Sequence, residues 1–368
     1  GDRDSAMPQA ADALRLPLVG LRAMASAEGG PVARLFAANR EVLRSINSFE
    51  DILEERSRAG EWIRPHLQEP LTRMLGVGNE QVYCGRSQWL FYRPAVDHLT
   101  GPGFLEEQRL AKRAAAGNEW QAPPQPDPLP AILEFRDQLA KRGIELLLLP
   151  VPVKASVHPE FLSRRYAGND RAIHNPSHDD FLARLKAEGV RVFDPTKLLM
   201  NAAVSTGNPQ YLSTDTHWTP EAVDLVARKL ANKVRKTVDF SKKNRIRYAN
   251  TEVPVGNVGD LAEMLELSSL YPAQTVDTAV VKRPNGKPWR AVRSAEVLLL
   301  GDSFANIYNE EKLGWGGGAG LAQRLGYHLR RPVESLIRND DGAFSTRLLL
   351  SEEVRQGVDR LATTRVLI

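Results

Sequence analysis

Val297-Leu298-Leu299-Leu300-Gly301-Asp302-Ser303-Phe304 decides the reading of this 368-residue chain. Four consecutive apolar residues are the pattern of a strand buried on both faces, as in a parallel sheet covered by helices. The run ends in Gly301-Asp302-Ser303, a turn from which a helix can start. Ser303 therefore falls at the carboxyl end of a strand, where open α/β sheets gather their sites. The free N–H groups and positive dipole end of a following helix would stand where an oxyanion develops. The competing role for Ser303, taken alone, is a helix cap.

Outward from this strand an α/β rhythm repeats. Pro130 to Arg142 is amphipathic through Ile132, Leu133, Phe135 and Leu139, Gly143 marks its stop, and Ile144 to Val153 is a second run of buried-strand type. Residues 179 to 188 predict a helix stopped at Gly189, and Val190-Arg191-Val192-Phe193 predicts a further strand. At Thr219-Pro220 the threonine suits a cap and the proline a first helical turn, and Ala222, Val223, Val226, Ala227 and Leu230 mark the buried stripe that follows. Downstream of Ser303 a helix is expected from about Gly320 to Leu329, a strand at Val333 to Ile337, and the start of another at Arg365-Val366-Leu367-Ile368.

Residues 237 to 290 interrupt the rhythm with turn signals at Pro254, Gly256, Gly259 and Asn285-Gly286, and read as an insertion with small strands. Gln88-Trp89-Leu90-Phe91-Tyr92-Arg93 reads as a strand opening the main domain, and residues 100 to 129 as a loop or partial helix. Residues 1 to 80 read as an N-terminal helical extension, with Leu35, Val42, Ile46, Phe49 and Leu53 at rough helical spacing. The fold class is α/β, a mostly parallel sheet flanked by helices, with the main domain at residues 81 to 368.

A second stretch supplies what a serine nucleophile needs. In Ser213-Thr214-Asp215-Thr216-His217-Trp218-Thr219-Pro220, Asp215 and His217 lie two apart. In an extended segment that spacing puts both side chains on one side. A carboxylate beside an imidazole fixes its tautomer and stabilises the imidazolium. Ser303, His217 and Asp215 thus form a nucleophile, base and orienter set. Capping is the competing role for Asp215, although Thr219 suits it better, and an incidental surface histidine is the competing role for His217.

Asp-Thr-His-Trp followed downstream by Leu-Gly-Asp-Ser-Phe resembles the alginate O-acetyltransferase family of the AlgJ/AlgX type. The resemblance runs from about Tyr83 to the C-terminus and includes Trp89-Leu90-Phe91-Tyr92, Leu149-Pro150-Val151-Pro152-Val153-Lys154 and Trp315-Gly316. It implies a circularly permuted SGNH-hydrolase-like fold, in which the Asp–His pair precedes the Gly-Asp-Ser block. It implies Ser303 as nucleophile, His217 as general base and Asp215 as orienter. Through the stretch from Val333 to Gly342 it implies Gly342 and the Ser303 N–H as the oxyanion hole. A third donor, expected after the strand that begins near Ile368, is unassigned. The activity implied is O-acetylation of an exported polysaccharide, alginate-like or another exopolysaccharide, through an acyl-serine. The implied setting is the periplasm, with a membrane-bound O-acyltransferase delivering the acetyl group and other exopolysaccharide export proteins as partners. Two alternatives stay open: a polysaccharide O-acetyl esterase with the same triad, and a non-catalytic polysaccharide-binding export component.

Trp218, Trp315 and Tyr308, with Tyr327, are candidates for stacking on sugar rings or for the core. Lys154 is a candidate for meeting an anionic substrate or for the surface. Gly314-x-Gly316-x-x-Ala319 fits a dinucleotide fingerprint in spacing but follows no strand, so it reads as a loop beside the site. His174 and His178 have the spacing of a helical metal pair, but Pro176 lies between them. No cofactor and no metal is called for. The composition is that of a globular protein, 42% hydrophobic and 26% charged, with a net charge of +4. That bias favours anionic partners slightly, and Ser241-Lys242-Lys243-Asn244-Arg245-Ile246-Arg247 reads as a solvated loop rather than a nucleic-acid arm. One cysteine, Cys84, excludes an intrachain disulfide. No apolar stretch approaches the roughly 20 residues of a membrane span, no signal peptide is visible, and the start Gly1-Asp2-Arg3-Asp4 reads as trimmed.

Overall fold

The computed structural model describes Glu69, Thr72, Arg73 and residues 76–115, 126–168, 171–242, 244–339 and 342–368. The chain separates into two compact units, residues 1–75 and 76–368. The helical spacing noted at Leu35 to Leu53 lies outside the described residues.

The second unit is built on five parallel strands in the order β4-β3-β9-β7-β8. They are β3 (Glu145–Leu148), β4 (Arg191–Val192), β7 (Val297–Gly301), β8 (Glu334–Ile337) and β9 (Val366–Leu367). Alternate residues point to opposite faces. Leu147, Val297, Leu299 and Val366 enter one hydrophobic cluster, and Leu146, Leu298, Leu336 and Leu367 enter another. Each face needs its own cover, which explains the unbroken apolar run of β7. On the first face lie α7 (Thr196–Thr206), α8 (Pro220–Thr237) and α11 (Leu321–Leu329); on the second lie α3 (Pro128–Ala140), α6 (His178–Ala187) and α12 (Gly342–Arg355).

Local signals set most boundaries. The Thr219 hydroxyl accepts from the Ala222 N–H at 3.3 Å with Pro220 in the first turn, and the apolar stripe through Val223, Val226 and Leu230 is fully buried. Each such side chain contributes about 1.5–3 kcal/mol. The strand expected over Ile144 to Val153 is shorter, Glu145–Leu148, because Pro150 and Pro152 cannot donate to a ladder. The aromatic segment expected to open the domain forms β2 (Leu90–Tyr92), paired antiparallel with β1 (Val82–Cys84) outside the main sheet.

Residues 237 to 290 contain the expected small strands. They form one antiparallel ribbon, β5 (Ala249–Asn257) on β6 (Gln274–Lys282), in register from Ala249–Lys282 to Asn257–Gln274. The connection between them carries α9 (Asp260–Met264), whose Leu261 and Ala262 pack with Val82 and Leu90 in a third cluster. Gly314 and Gly316 lie against Asn257 and Val255 of this ribbon, where a side chain would collide. Three helices sit ahead of or beside the cleft described next: α1 (Arg93–Thr100), α2 (Glu107–Ala115) and the short α4 (Lys154–Val157), followed by α5 (Pro159–Leu162).

Candidate active site

Ser303 opens α10 (Ser303–Asn306) immediately after β7. The cap is not Ser303 but Asp302, whose carboxylate accepts from the Phe304 N–H at 3.0 Å. The Ser303 hydroxyl is left for another partner, and it lies 2.9 Å from Nε2 of His217.

His217 and Asp215 come from a tight reversal rather than the extended segment expected. Tyr211 and Trp218 pair across it, and the Leu212 N–H donates to the His217 carbonyl at 3.1 Å. Asp215 builds its own turn: Oδ1 accepts from the His217 backbone N–H at 2.9 Å and lies 2.7 Å from the same residue's Nδ1. An Asx-type turn therefore aligns the two side chains, where strand alternation was the expectation. The second oxygen, Oδ2, accepts from the Trp315 indole N–H at 2.8 Å and the Asp260 N–H at 3.1 Å. The connection from β5 approaches so closely that a side chain at Gly259, whose φ is +101°, would strike the Thr214 carbonyl and Asp215 Cβ.

Asp215 is 1% and His217 5% exposed, so their charges act through little water. Burial pushes the Asp215 carboxyl up, but the hydrogen bond and charge of His217, with the Trp315 donor, hold it down at about 2. Burial pushes His217 down, and the Asp215 bond and charge, aided by Asp260 and Asp302, overcome this and raise it above its ordinary value. The ring is thereby a stronger base than a free imidazole.

Asp260 is the residue that sequence reasoning missed here. Its Oδ1 accepts from the Thr216 N–H at 2.7 Å, and its Oδ2 lies 3.7 Å from His217 Nδ1. Burial, then the neighbouring Asp215 charge, raise its carboxyl. Only contact across the insertion brings it to the site; its sequence context, a glycine before a short helix, carries no catalytic signal. Donor atoms of Asp215, His217 and Asp260 lie within 4.8 Å of one another, close enough to hold a cation. The 2.7 Å contact of Nδ1 with Oδ1 is equally satisfied by a shared proton, which keeps the imidazole in line with Ser303.

A cleft of about 660 Å³ opens over Ser303 and His217, lined by Tyr92, Phe304, Asp260 and Asn339 among others. Asn339 stands two residues beyond β8, on the same sheet edge as Ser303. A relay of amides holds it: Gln323 donates to Asn309 at 2.5 Å, Asn309 to Asn306 at 2.9 Å, and Asn306 to the Asn339 carbonyl at 3.1 Å. With its oxygen engaged, the Asn339 NH₂ has no acceptor among the described residues. Gly342, the expected oxyanion donor, begins α12 with a φ of +51° and does not line the cleft. The strand-end position facing the serine belongs to Asn339, three residues earlier. A polar residue two positions after a buried strand was the available signal.

Three of the four aromatic residues considered for sugar stacking are core, and the fourth, Tyr327, is half-buried under the Arg324 guanidinium, 4.6 Å over its ring. Trp218, Trp315 and Tyr308 are each 0% exposed. The Trp218 indole donates to the Phe304 carbonyl at 2.9 Å and the Tyr308 hydroxyl to the Trp218 carbonyl at 2.7 Å, so both pin the serine turn to the histidine turn. No face of any of the three is open to a ring. Lys154 is also neither on the surface nor free for an anion: it is 5% exposed, and its ammonium donates to the carbonyls of Leu90 at 2.7 Å and Ser213 at 3.1 Å. Burial lowers its pKa to about 7, partly offset by Asp215 and Asp260.

A parallel sheet with helices on both faces and a serine–imidazole–carboxylate line at its carboxyl edge is the arrangement of a serine-hydrolase-like α/β protein. The chain belongs to the family described as "SGNH hydrolase-like domain, acetyltransferase AlgX", whose model matches residues 82–356. It is 33% identical over 164 residues to a probable alginate O-acetylase AlgJ of Pseudomonas aeruginosa, covering 44% of this chain and 38% of that one. It is 27% identical over 263 residues to the Pseudomonas fluorescens protein of the same name, covering 69% and 59%. The chain thus spans between two fifths and three fifths of the length of these relatives. Among solved structures, the O-acetyltransferase domain of Pseudomonas putida AlgJ superposes with a TM-score of 0.55 at 22% identity, covering 78% of this chain and 88% of that one. Pseudomonas aeruginosa AlgX superposes with a TM-score of 0.52 at 19% identity, covering 78% and 61%. Both share the fold.

Proposed function

We propose that this protein is an O-acetyltransferase acting on an exported polysaccharide, with residues 81 to 368 as the transferase domain. The observation that carries the reading is the continuous line from the Ser303 hydroxyl through His217, at 2.9 Å, to Asp215, at 2.7 Å, opening onto a cleft. Membership of an acetyltransferase family and the name alginate O-acetylase borne by its relatives support the acetyl group and the acceptor class.

In this mechanism His217 Nε2 takes the Ser303 proton as Oγ attacks the acetyl carbonyl of the donor. Asp215 holds the Nδ1–H and stabilises the imidazolium. The oxyanion accepts from the Ser303 N–H and the Asn339 NH₂. Collapse expels the donor's oxygen, which takes the proton from His217 and leaves acetyl-Ser303. A sugar hydroxyl then gives its proton to His217, attacks the ester carbonyl and leaves acetylated, returning the serine hydroxyl. The reading places the protein in the periplasm, supplied by a membrane-bound O-acyltransferase and working with export proteins.

The test is acetyl transfer from a small acetyl ester to defined uronate oligosaccharides, read by product mass. Acetylated oligosaccharide is expected. Free acetate alone, at every acceptor concentration, would replace this reading with an esterase.

A further inference from the structure

The cleft over Ser303 continues into a second groove of about 830 Å³, and the two share Pro94 and His98. The groove runs between α1 and α2. From α2 come Arg109, Lys112 and Arg113, spaced i, i+3 and i+4, so that one helical face is cationic. From α1 come Arg93 and Asp97, one turn apart. Four cations thus face two carboxylates, Glu80 and Asp97, and Asp97 already accepts from the Tyr83 hydroxyl at 2.8 Å.

Two of the four cations are unengaged among the described residues, while the Arg113 guanidinium donates to the Phe104 carbonyl. Among the described residues neither Arg109 nor Lys112 is held by a carboxylate, and both are exposed. The Arg93 guanidinium sits 4.2 Å over the Tyr83 ring, which fixes its position, and its buried Nε has no hydrogen-bond partner. At the junction with the cleft, the His98 ring stacks on Phe104 at 5.7 Å, offering a flat surface. By contrast the cleft's lysine, Lys154, is spent on two carbonyls, and Asp260 adds negative charge there.

We infer that this groove is a second saccharide-binding site, taking carboxylate-bearing sugars of an anionic polysaccharide next to the residue whose hydroxyl is at Ser303. The inference rests on the acetyl-transfer reading. It divides the labour: the cleft admits one acceptor hydroxyl with little charge selection, and the groove selects polymer by its carboxylates. Cations spread along a helix face suit charges that recur once per sugar better than a single compact phosphate, which would call for convergent donors.

The experiment is calorimetric titration of the parent protein and of Arg109→Gln/Lys112→Gln with uronate oligosaccharides of increasing length and with the same oligosaccharides after carboxyl reduction. The parent should bind the longer uronate forms in a salt-dependent way, the variant about threefold to tenfold more weakly with a flatter salt dependence. The carboxyl-reduced forms should bind parent and variant alike, and weakly. Equal affinity of parent and variant, no binding by the parent, or no loss on carboxyl reduction would each overturn the site. Arg109→Gln alone, measured the same way, covers loss of folding in the double variant. Acyl-serine formation by the parent is read in parallel; its absence would count against acetyl transfer and leave the binding result to decide the groove.

Discussion

Replacing Trp315 by phenylalanine tests what the buried tryptophan does. The indole N–H donates at 2.8 Å to Asp215 Oδ2, and the residue is 0% exposed within the core that joins α8 to α11. Trp315→Phe removes a hydrogen bond to a charged acceptor, worth about 1.5–3 kcal/mol. The smaller ring leaves unfilled space of roughly 40 Å³, which costs about 1 kcal/mol more at ~24 cal/mol per Å³. The expected loss is about 2.5–4 kcal/mol near neutral pH. With an m-value of about 3 kcal/mol per molar urea, the unfolding midpoint should fall by about 1 M with m unchanged. The charge-assisted part has a pH signature. Asp215 is held at about 2, below its ordinary 3.8, so its stabilisation is complete above 3.8 and lost as pH falls towards 2. The difference between parent and variant should narrow over that window to the packing part alone. A loss below about 1 kcal/mol near neutral pH, or one that does not change with acid, would refute the brace and return Trp315 to a role outside the site.

Other outcomes follow from the same geometry. Because His217 is raised and must be neutral to accept the serine proton, kcat/KM should fall on the acid side with a midpoint above 6.5. Asp260→Asn removes a charge that raises the ring, so that acid limb should move to lower pH; a limb that stays in place would dismiss Asp260 as a contributor. Asn339→Ala should lower kcat by about 10²–10³ with little change in KM, the effect of losing one oxyanion donor. A larger effect of Gly342→Ala than of Asn339→Ala would restore the glycine to the hole.

The sheet was readable in the sequence because its central strands are buried on both faces and need unbroken apolar runs, as in Val297 to Leu300 and Leu146 to Leu149. The helix at Pro220 was readable from Thr219 and its stripe. What escaped depends on contacts between distant segments. Helix α7 is announced by Asp194, whose carboxylate accepts from the Thr196 N–H at 2.9 Å, and by Gly207, left-handed at its end, signals as common in turns. Asp260 reaches the site only because the β5–β6 ribbon returns its connecting segment to Thr214 and Asp215. The tryptophans misled because an indole serves a sugar and a carboxylate equally well: composition names the group, and only packing decides which face is left open. Lys154 is the same case in reverse, a charge that the sequence places beside a strand and the fold buries against two carbonyls.

The most direct test of the account is to incubate the protein with a small acetyl ester, quench in acid and measure intact mass with peptide mapping. The account predicts an adduct of about 42 Da on the peptide containing Ser303, absent from Ser303→Ala and much slower to form in His217→Ala. An adduct that persists in Ser303→Ala, or maps to another residue, would contradict it.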